Sequence, residues 1–229
     1  MKKLLLLTLI GFISYTSIAQ EGILVGPKYS INTTWLFDQD EYESNTYNYG
    51  FTLGSMKGVN VGFQFSPKYG AEIDLFSTSH NQKYLNSSPT SEMYYIEKLK
   101  YFDIATYFRV RSEQSATYFM IGPKFSFFNK ALIFTHSDNG DESKLPVAKD
   151  EDIYNKLNVF IELAYGLEAE LVEDKLTFLT GFRAGFGFLD ITHPDIKEAL
   201  EELGGKDYKY WPKHALYGGF EIGINYYIN

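Results

Sequence analysis

The sequence predicts an all-β fold, an eight-stranded antiparallel transmembrane β-barrel with long extracellular loops and short periplasmic turns. Three observations lead to this prediction. Apolar and polar residues alternate in eight segments, most of them near the 9 to 11 residues that a tilted strand needs to cross a bilayer. The connections between these segments are alternately long and short. The chain also begins with the features of an export signal.

The composition of the 229 residues is that of a folded chain, and it excludes several classes of function. Aromatic residues make up 17% and hydrophobic residues 45%, which is too much for a disordered protein. The sequence has no cysteine, so disulfides and thiolate metal sites are impossible. A formal charge of −8 argues against nucleic acid as a partner, because there is no basic surplus to neutralise phosphates.

Residues 1–19 have the pattern of a signal peptide. Lys2 and Lys3 precede an apolar run, and residues 17–19 supply the small side chains that come before a cleavage site. A membrane-spanning helix would need about 20 apolar residues, but polar residues begin at Ser14. We therefore expect export to the outer membrane and cleavage after Ala19, with residues 20–229 forming the barrel domain.

The eight alternating segments follow in chain order. In the first, apolar side chains from Ile23 to Trp35 alternate with small or polar ones such as Lys28 and Asn32. In the last, apolar side chains from Leu216 to Ile228 alternate in the same way. The predicted strands cover residues 23–35, 59–66, 71–76, 101–109, 118–127, 158–171, 177–188 and 216–228.

The connections place the long loops on one rim of the barrel. Tight turns follow the second, fourth and sixth strands. Long connections follow the first, third, fifth and seventh strands, at roughly 38–56, 79–98, 129–157 and 190–214. This is the outer-membrane arrangement, with both termini in the periplasm. It also explains the mean hydropathy of −0.22, because inward polar residues and acidic loops dilute the lipid-facing side chains.

Either face of the sheet could be the outer one, as in a membrane barrel or in a soluble lipocalin-like barrel. A water-facing surface would carry Lys, Glu and Gln, whereas the second face is rich in glycine, which leaves room for larger side chains in a narrow interior. A small barrel also has no room inside for the Phe, Tyr, Leu and Ile of eight strands. The membrane barrel is therefore the prediction.

Four short motifs resemble the PorT-like outer-membrane β-barrel proteins of the Bacteroidetes. Residues 101–105 are similar to that family's Tyr-Leu-Glu-Ile-Pro signature, with Ala105 in place of Pro. The other motifs are GPKYSIN at 26–32, AEIDLFS at 71–77 and IGPKF at 121–125. The resemblance implies the barrel fold over the whole mature chain. It also implies a possible link to the gliding-associated protein secretion system, although most members of the family have no established role.

The inward positions of the predicted strands collect charged residues of both signs. Unpaired charge is expensive inside a barrel, so we expect these side chains to pair across the lumen and plug it. A gated pore or a proton path is the alternative. The predicted network comprises Lys28, Glu72, Asp74, Asp103, Arg109, Lys124, Glu162, Glu168, Arg183 and Glu221. Glu170 also falls on this face, and the excess of acids suggests that some carboxylates lie near a rim or hold a proton.

We expect no catalytic, cofactor or metal site. The four histidines, His80, His136, His193 and His214, lie near strand ends or in loops on the long-looped rim. Ser79 beside His80, and Asp190 near His193, would permit a hydrolase without specifying one. The acidic residues of the first loop (Asp38, Asp40, Glu41, Glu43) and of the third (Asp138, Asp141, Glu142, Asp150, Glu151, Asp152) lack the spacing of an EF-hand. Weak divalent binding that bridges lipopolysaccharide phosphates remains open.

The fourth loop is predicted to contain a short helix. Pro194 suits the first turn, Gly204 and Gly205 end the helix, and an apolar stripe is expected to cap the barrel mouth or to contact a partner. The sequence thus predicts a structural or surface-interaction protein. Its partners would be outer-membrane lipid, lipopolysaccharide and proteins that bind the loops. An accessory component of protein secretion, a small solute or lipid channel and a membrane-embedded enzyme are the alternatives.

Overall fold

A computed structural model describes residues 22–37, 46–112, 115–147, 153–204 and 210–228. The predicted signal peptide and its cleavage site lie outside these residues. Ten strands and one helix form within the described part of the chain. In chain order they are β1 (Gly22–Phe37), β2 (Tyr47–Gly50), β3 (Gly54–Gln64), β4 (Tyr69–Asn86), β5 (Tyr94–Arg111), β6 (Thr117–His136), β7 (Glu142–Val147), β8 (Leu157–Val172), β9 (Leu176–Gly187), α1 (Pro194–Gly204) and β10 (His214–Ile228).

Eight of these strands close into an antiparallel ring, which confirms the predicted barrel. The ring runs β1-β3-β4-β5-β6-β8-β9-β10 and returns to β1. Following paired residues from strand to strand around the ring, starting at Thr33 on β1, leads back to β1 at Ile23. The paired residues in between are Gly218, Ala184, Leu163, Ile121, Phe108, Ala71 and Phe63. The ring therefore closes with a stagger of ten residues. A stagger of this kind is what tilts the strands of a barrel, typically by about 35–45°.

The two faces of the sheet are chemically opposite. The outer face exposes large apolar side chains on every strand of the ring, such as Val61, Phe102, Phe182 and Phe220. The inner face buries Lys, Arg, Asp, Glu and Asn. In a water-soluble barrel these two sets would change places, so the lipocalin-like alternative is wrong. Within the described residues, no helix is both long enough and apolar enough to span a membrane.

The inward glycines serve two different purposes. At Gly185, an added Cβ would lie 2.6 Å from the ring of Tyr217, so this glycine makes room for a lumen side chain as the sequence predicts. At Gly26, an added Cβ would lie 1.6 Å from the backbone oxygen of Ile224 on β10. Here the glycine permits close approach of two strand backbones, a reason that the sequence did not reveal.

Three strands continue well beyond their predicted ends on the long-looped side. β4 runs to Asn86, β5 begins at Tyr94 and β6 runs to His136, so most of the predicted second loop is strand. β2 and β7 pair with this projection at either side. We call the five-stranded projection the wall; it comprises residues 47–50, 79–86, 94–100, 129–136 and 142–147.

The helix in the fourth loop forms at its predicted position but does not cap the barrel with its stripe. Leu203 is 86% exposed and Leu200 is 39% exposed. The loop end of the barrel is covered instead by Tyr154 and Ile191, which are buried in one cluster with lumen side chains such as Phe128. Asn155 joins the two loop segments by donating its Nδ2 to the backbone oxygens of Asp190 and Thr192.

Candidate functional site

The lumen holds all ten side chains of the predicted network in one connected set of ion pairs. Each of them is 5% exposed or less. Alternation on seven of the eight ring strands points them inward, and the ring brings together residues that are more than 100 positions apart in the chain. Glu170, by contrast, is only half-buried near the β8–β9 turn, and its carboxylate accepts the backbone N–H of Asp174 at 2.6 Å.

The periplasmic part of the network centres on Glu168. Its Oε2 lies 2.7 Å from Nη2 of Arg109 and 3.0 Å from Nε of Arg111. Arg109 also reaches Glu72 at 3.4 Å. The hydroxyl groups of Thr177 and Tyr227 each donate to Glu168 Oε1 at 3.1 Å.

The middle of the network is built on Lys28 and Arg183. The Lys28 ammonium donates to Glu72 and lies 3.2 Å from Asp74. Arg183 lies 2.9 Å from Asp74 and 2.5 Å from Glu221, and it also pairs with Glu162. Asp74 therefore joins the two cations, and Arg183 holds three carboxylates from three different strands.

The upper part of the network is formed by Lys124. Its ammonium lies 3.3 Å from Glu162 and 3.4 Å from Asp103, and it donates to the Tyr217 hydroxyl at 2.7 Å. Tyr217 in turn donates to Glu162. Lys124 also lies 4.0 Å from the centre of the Tyr217 ring. The Tyr217 hydroxyl thus gives the buried Glu162 carboxylate a further hydrogen bond, as buried charge requires.

An aromatic layer lies in the lumen between the charged network and the loops. Its buried members include Phe76, Tyr101, Phe128, Phe160 and Tyr217, and they pack with Tyr154 and Ile191 of the covering loops. From the periplasmic end toward the loop end, the described part of the lumen thus contains first the ion pairs and then the aromatic layer, over which the covering loops lie.

His80 lies inside this layer and not at the rim of the barrel, where it was predicted near a strand end or in a loop, because β4 continues past it. Its ring is centred 5.1 Å from Tyr217, 5.7 Å from Phe160 and 5.6 Å from Tyr101. Its Nδ1 lies 3.2 Å from the Thr34 hydroxyl.

Neither serine–histidine–acid arrangement that the sequence permitted is assembled. Ser79 and His80 are consecutive residues on a strand, so their side chains lie on opposite faces of the β-sheet. Asp190 accepts hydrogen bonds from the backbone of Thr192 and Lys213 and from the Tyr210 hydroxyl, each at 3.0–3.1 Å. The other three histidines lie at the loop end: His136 is 3.6 Å from Glu142, His193 is 3.7 Å from Asp195, and His214 contacts the Gly187 carbonyl at 3.2 Å.

One acidic loop residue has a definite structural role. Asp138 Oδ1 accepts hydrogen bonds from Ser91 Oγ at 2.8 Å and from the backbone N–H groups of Glu92 and Met93 at 2.7 and 2.9 Å. These bonds, that of Ser91 most of all, lower the pKa of Asp138. Asp38, Asp40, Glu41, Glu43, Asp150, Glu151 and Asp152 lie outside the described residues. Within the described residues, no group of three His, Asp or Glu side chains is placed to hold a metal ion.

Sequence reasoning missed Arg111 as part of the lumen. It lies two residues beyond Arg109 on β5, on the same inward face, and is 6% exposed. Alternation would have found it if the predicted strand had not been ended at Arg109. With Arg111, the network has five cations and six carboxylates, so its charge is nearly balanced.

Comparison with solved structures finds barrels that are similar to this chain. Neisserial surface protein A has 10% identity and a TM-score of 0.42, with 92% of this chain and 100% of that chain covered. OprG from Pseudomonas aeruginosa has 9% identity and a TM-score of 0.41, with 93% and 99% covered. Ail of Yersinia pestis has 8% identity and a TM-score of 0.38, with 91% and 99% covered.

The sequence itself also matches a protein family. No curated protein matches it. A family model described as outer membrane protein beta-barrel domain matches residues 18–193, which include the first seven ring strands. With more than half of its length matched, this chain belongs to the outer membrane protein β-barrel domain family.

Proposed function

We propose that this protein is a non-enzymatic outer-membrane component with a structural or surface-interaction role, whose lumen is permanently closed. The connected ion-pair network carries this proposal. It holds 11 charged side chains with the aromatic layer packed above it. An eight-stranded barrel has an interior just wide enough for side chains to fill, so such a filling leaves no continuous water path.

The surface that remains for interaction is the loop end. The wall and the covering loops project from the end of the barrel opposite the short turns. Proteins that bind these loops, and the lipid and lipopolysaccharide around the barrel, are the proposed partners. Because Ser79 and His80 point to opposite faces of the β-sheet, they support a role without catalysis.

Planar-bilayer recording of the refolded full chain tests the closed lumen. We expect no stable conductance steps from the wild type. A double variant, Arg183→Ala with Tyr217→Ala, empties the centre of the lumen and should open steps. Phe182→Ala removes a large side chain from the outer face and should stay silent. Stable steps from the wild type would overturn the closed lumen and favour a small solute or lipid channel.

A second proposal, an accessory role in protein secretion, rests on the resemblance of four motifs to the PorT-like proteins of the Bacteroidetes. A deletion strain tests it. Reduced secretion with intact levels of other outer-membrane proteins is the expected result. Normal secretion and normal surface proteins would exclude the role. The proposed cleavage after Ala19 is checked by the mass of the mature protein from the outer membrane.

A further inference from the structure

The outer face of the wall carries a concentration of positive charge in an acidic protein. The full chain has a net charge of −8. The strand register, however, places five lysines on the outer face of the wall. Of the described carboxylates, only Glu142 lies on this face. The five are Lys83, Lys98, Lys100, Lys130 and Lys144. We call Lys98, Lys100 and Lys130 the lysine triad.

A β-bulge creates the centre of the triad. Phe127 points outward and Phe128 points inward, so regular alternation would turn Lys130 into the barrel. The register shifts at this point, where Tyr101 pairs with Phe128 but Lys100 pairs with Lys130. Asn129 is the extra residue. The bulge therefore turns Lys130 outward, directly opposite Lys100, in keeping with the way bulges redirect side chains.

This arrangement places like charges directly opposite each other. Residues directly opposite on antiparallel strands have Cβ atoms about 4.5–5.5 Å apart, and like charges in that position are destabilising. Lys98 adds a third charge two residues from Lys100 on the same face. Among the described residues, no carboxylate forms a salt bridge with any member of the triad. An anion from outside the chain would relieve the repulsion.

Aromatic rings hold neighbouring ammonium groups against the wall. Lys98 Nζ lies 4.5 Å and Lys144 Nζ lies 5.4 Å from the centre of the Phe134 ring. Lys83 Nζ lies 3.8 Å from the centre of the Tyr94 ring. Cation–π contacts of this kind restrict the long side chains, so less conformational freedom is lost when they bind an anion.

The triad lies directly beyond the lipid-facing surface. Phe102 and Phe127 are opposite each other and are 48% and 40% exposed. Lys100 precedes Phe102 by two residues on the same face, about 7 Å along the strand toward the loop end. A lipid whose chains cover these rings would therefore have its head group at the triad, on the extracellular side.

We propose that the lysine triad binds the phosphate groups of a phosphorylated glycolipid of the outer leaflet, with its acyl chains against Phe102 and Phe127. The proposal rests on the outer-membrane position of the barrel, and it adds a defined lipid site to the wall. Charge complementarity favours this occupant, and the adjoining apolar rings favour a lipid over a free anion.

Native mass spectrometry of the refolded full chain in detergent tests the site with lipid A carrying two phosphates. We expect the wild type to retain the lipid. The triple variant Lys98→Gln, Lys100→Gln, Lys130→Gln should bind it at least about tenfold more weakly, since each lysine near a lipid surface contributes about 1 kcal/mol. The matched variant Lys68→Gln, Lys175→Gln, Lys197→Gln removes three lysines from elsewhere and should bind normally.

Two further measurements separate phosphate recognition from other causes. Replacing the triad with arginine should preserve binding, and dephosphorylated lipid A should bind the wild type as weakly as it binds the glutamine variant. Equal binding by wild type and glutamine variant, or an equal loss in the matched control, would overturn the proposal. Displacement of lipid A by millimolar inorganic phosphate would show that the triad is a simple anion site, and would overturn the proposal that its ligand is a glycolipid. Heat-dependent gel mobility verifies folding of each variant, and conductance is measured independently.

Discussion

Arg183 on β9 reaches across the lumen to Asp74 on β4, with Nη2 2.9 Å from Oδ2. The two residues are 109 positions apart in the sequence. The same guanidinium also holds Glu162 and Glu221. One side chain therefore neutralises carboxylates from three strands, and the centre of the barrel depends on it.

Removal of this cation should be strongly destabilising. Arg183→Met leaves three buried carboxylates without their shared partner, and breaking a buried ion pair in this way costs about 3–5 kcal/mol. Urea unfolding of the refolded protein in lipid vesicles, followed by tryptophan fluorescence, gives the free energy of unfolding. Lys68→Met removes an exposed lysine of a periplasmic turn and should change it by about 0.5 kcal/mol or less. A loss of under 1 kcal/mol for Arg183→Met would contradict a central role.

The outward position of Phe182 gives a direct test of the membrane-facing surface. Phe182 is 69% exposed, so arginine at this position would be harmless in water. On the lipid face of a barrel, arginine costs about 2–4 kcal/mol near the bilayer midplane. Phe182→Arg should therefore destabilise the protein in vesicles, while Leu145→Arg on β7 of the wall should have little effect. Equal stability of the two variants would argue against a lipid-facing band.

The two classes of glycine predict opposite responses to an added methyl group. Gly26→Ala would place Cβ 1.6 Å from the Ile224 oxygen and must push β1 away from β10. We expect a loss of about 1–3 kcal/mol or failure to refold. At Gly218, an added Cβ meets no atom within 4 Å, so Gly218→Ala should refold normally. The two variants are compared by refolding yield and by heat-dependent gel mobility. If Gly218→Ala refolded less well than Gly26→Ala, the spacing between β1 and β10 would differ from that described.

The loop contact of Asp138 should depend on pH. Because hydrogen bonds from Ser91, Glu92 and Met93 lower the pKa of Asp138, the ionised form is favoured in the folded loop. The stabilisation is therefore complete above the ordinary pKa of an aspartate, near 4, and is lost as the pH falls through the lower value of the folded state. Carboxyl titration by NMR measures this pKa directly. Ser91→Ala should raise it, while Ser88→Ala, which leaves all three donors in place, should not.

The sequence predicted the fold more completely than it predicted the details of the site. Alternation identified the eight ring strands and placed ten charged residues on one face, because a strand directs successive side chains to opposite sides. It ended β4 and β5 too early, since the polar wall gives no clear signal of where a lipid-facing strand stops. His80 was consequently assigned to the rim, and Arg111 was left out of the lumen. The bulge at Asn129 was also missed.

What the sequence determined by itself is local: strand periodicity, the chemical character of each face and the alternation of long and short connections. These follow from the covalent geometry of an extended chain, in which every second side chain shares a face. The tertiary structure alone decided which charges meet, as with Arg183 and Asp74, and which lysines oppose each other, as with Lys100 and Lys130. Such contacts depend on the stagger with which the ring closes and on one inserted residue, and both are properties of the pairing between strands.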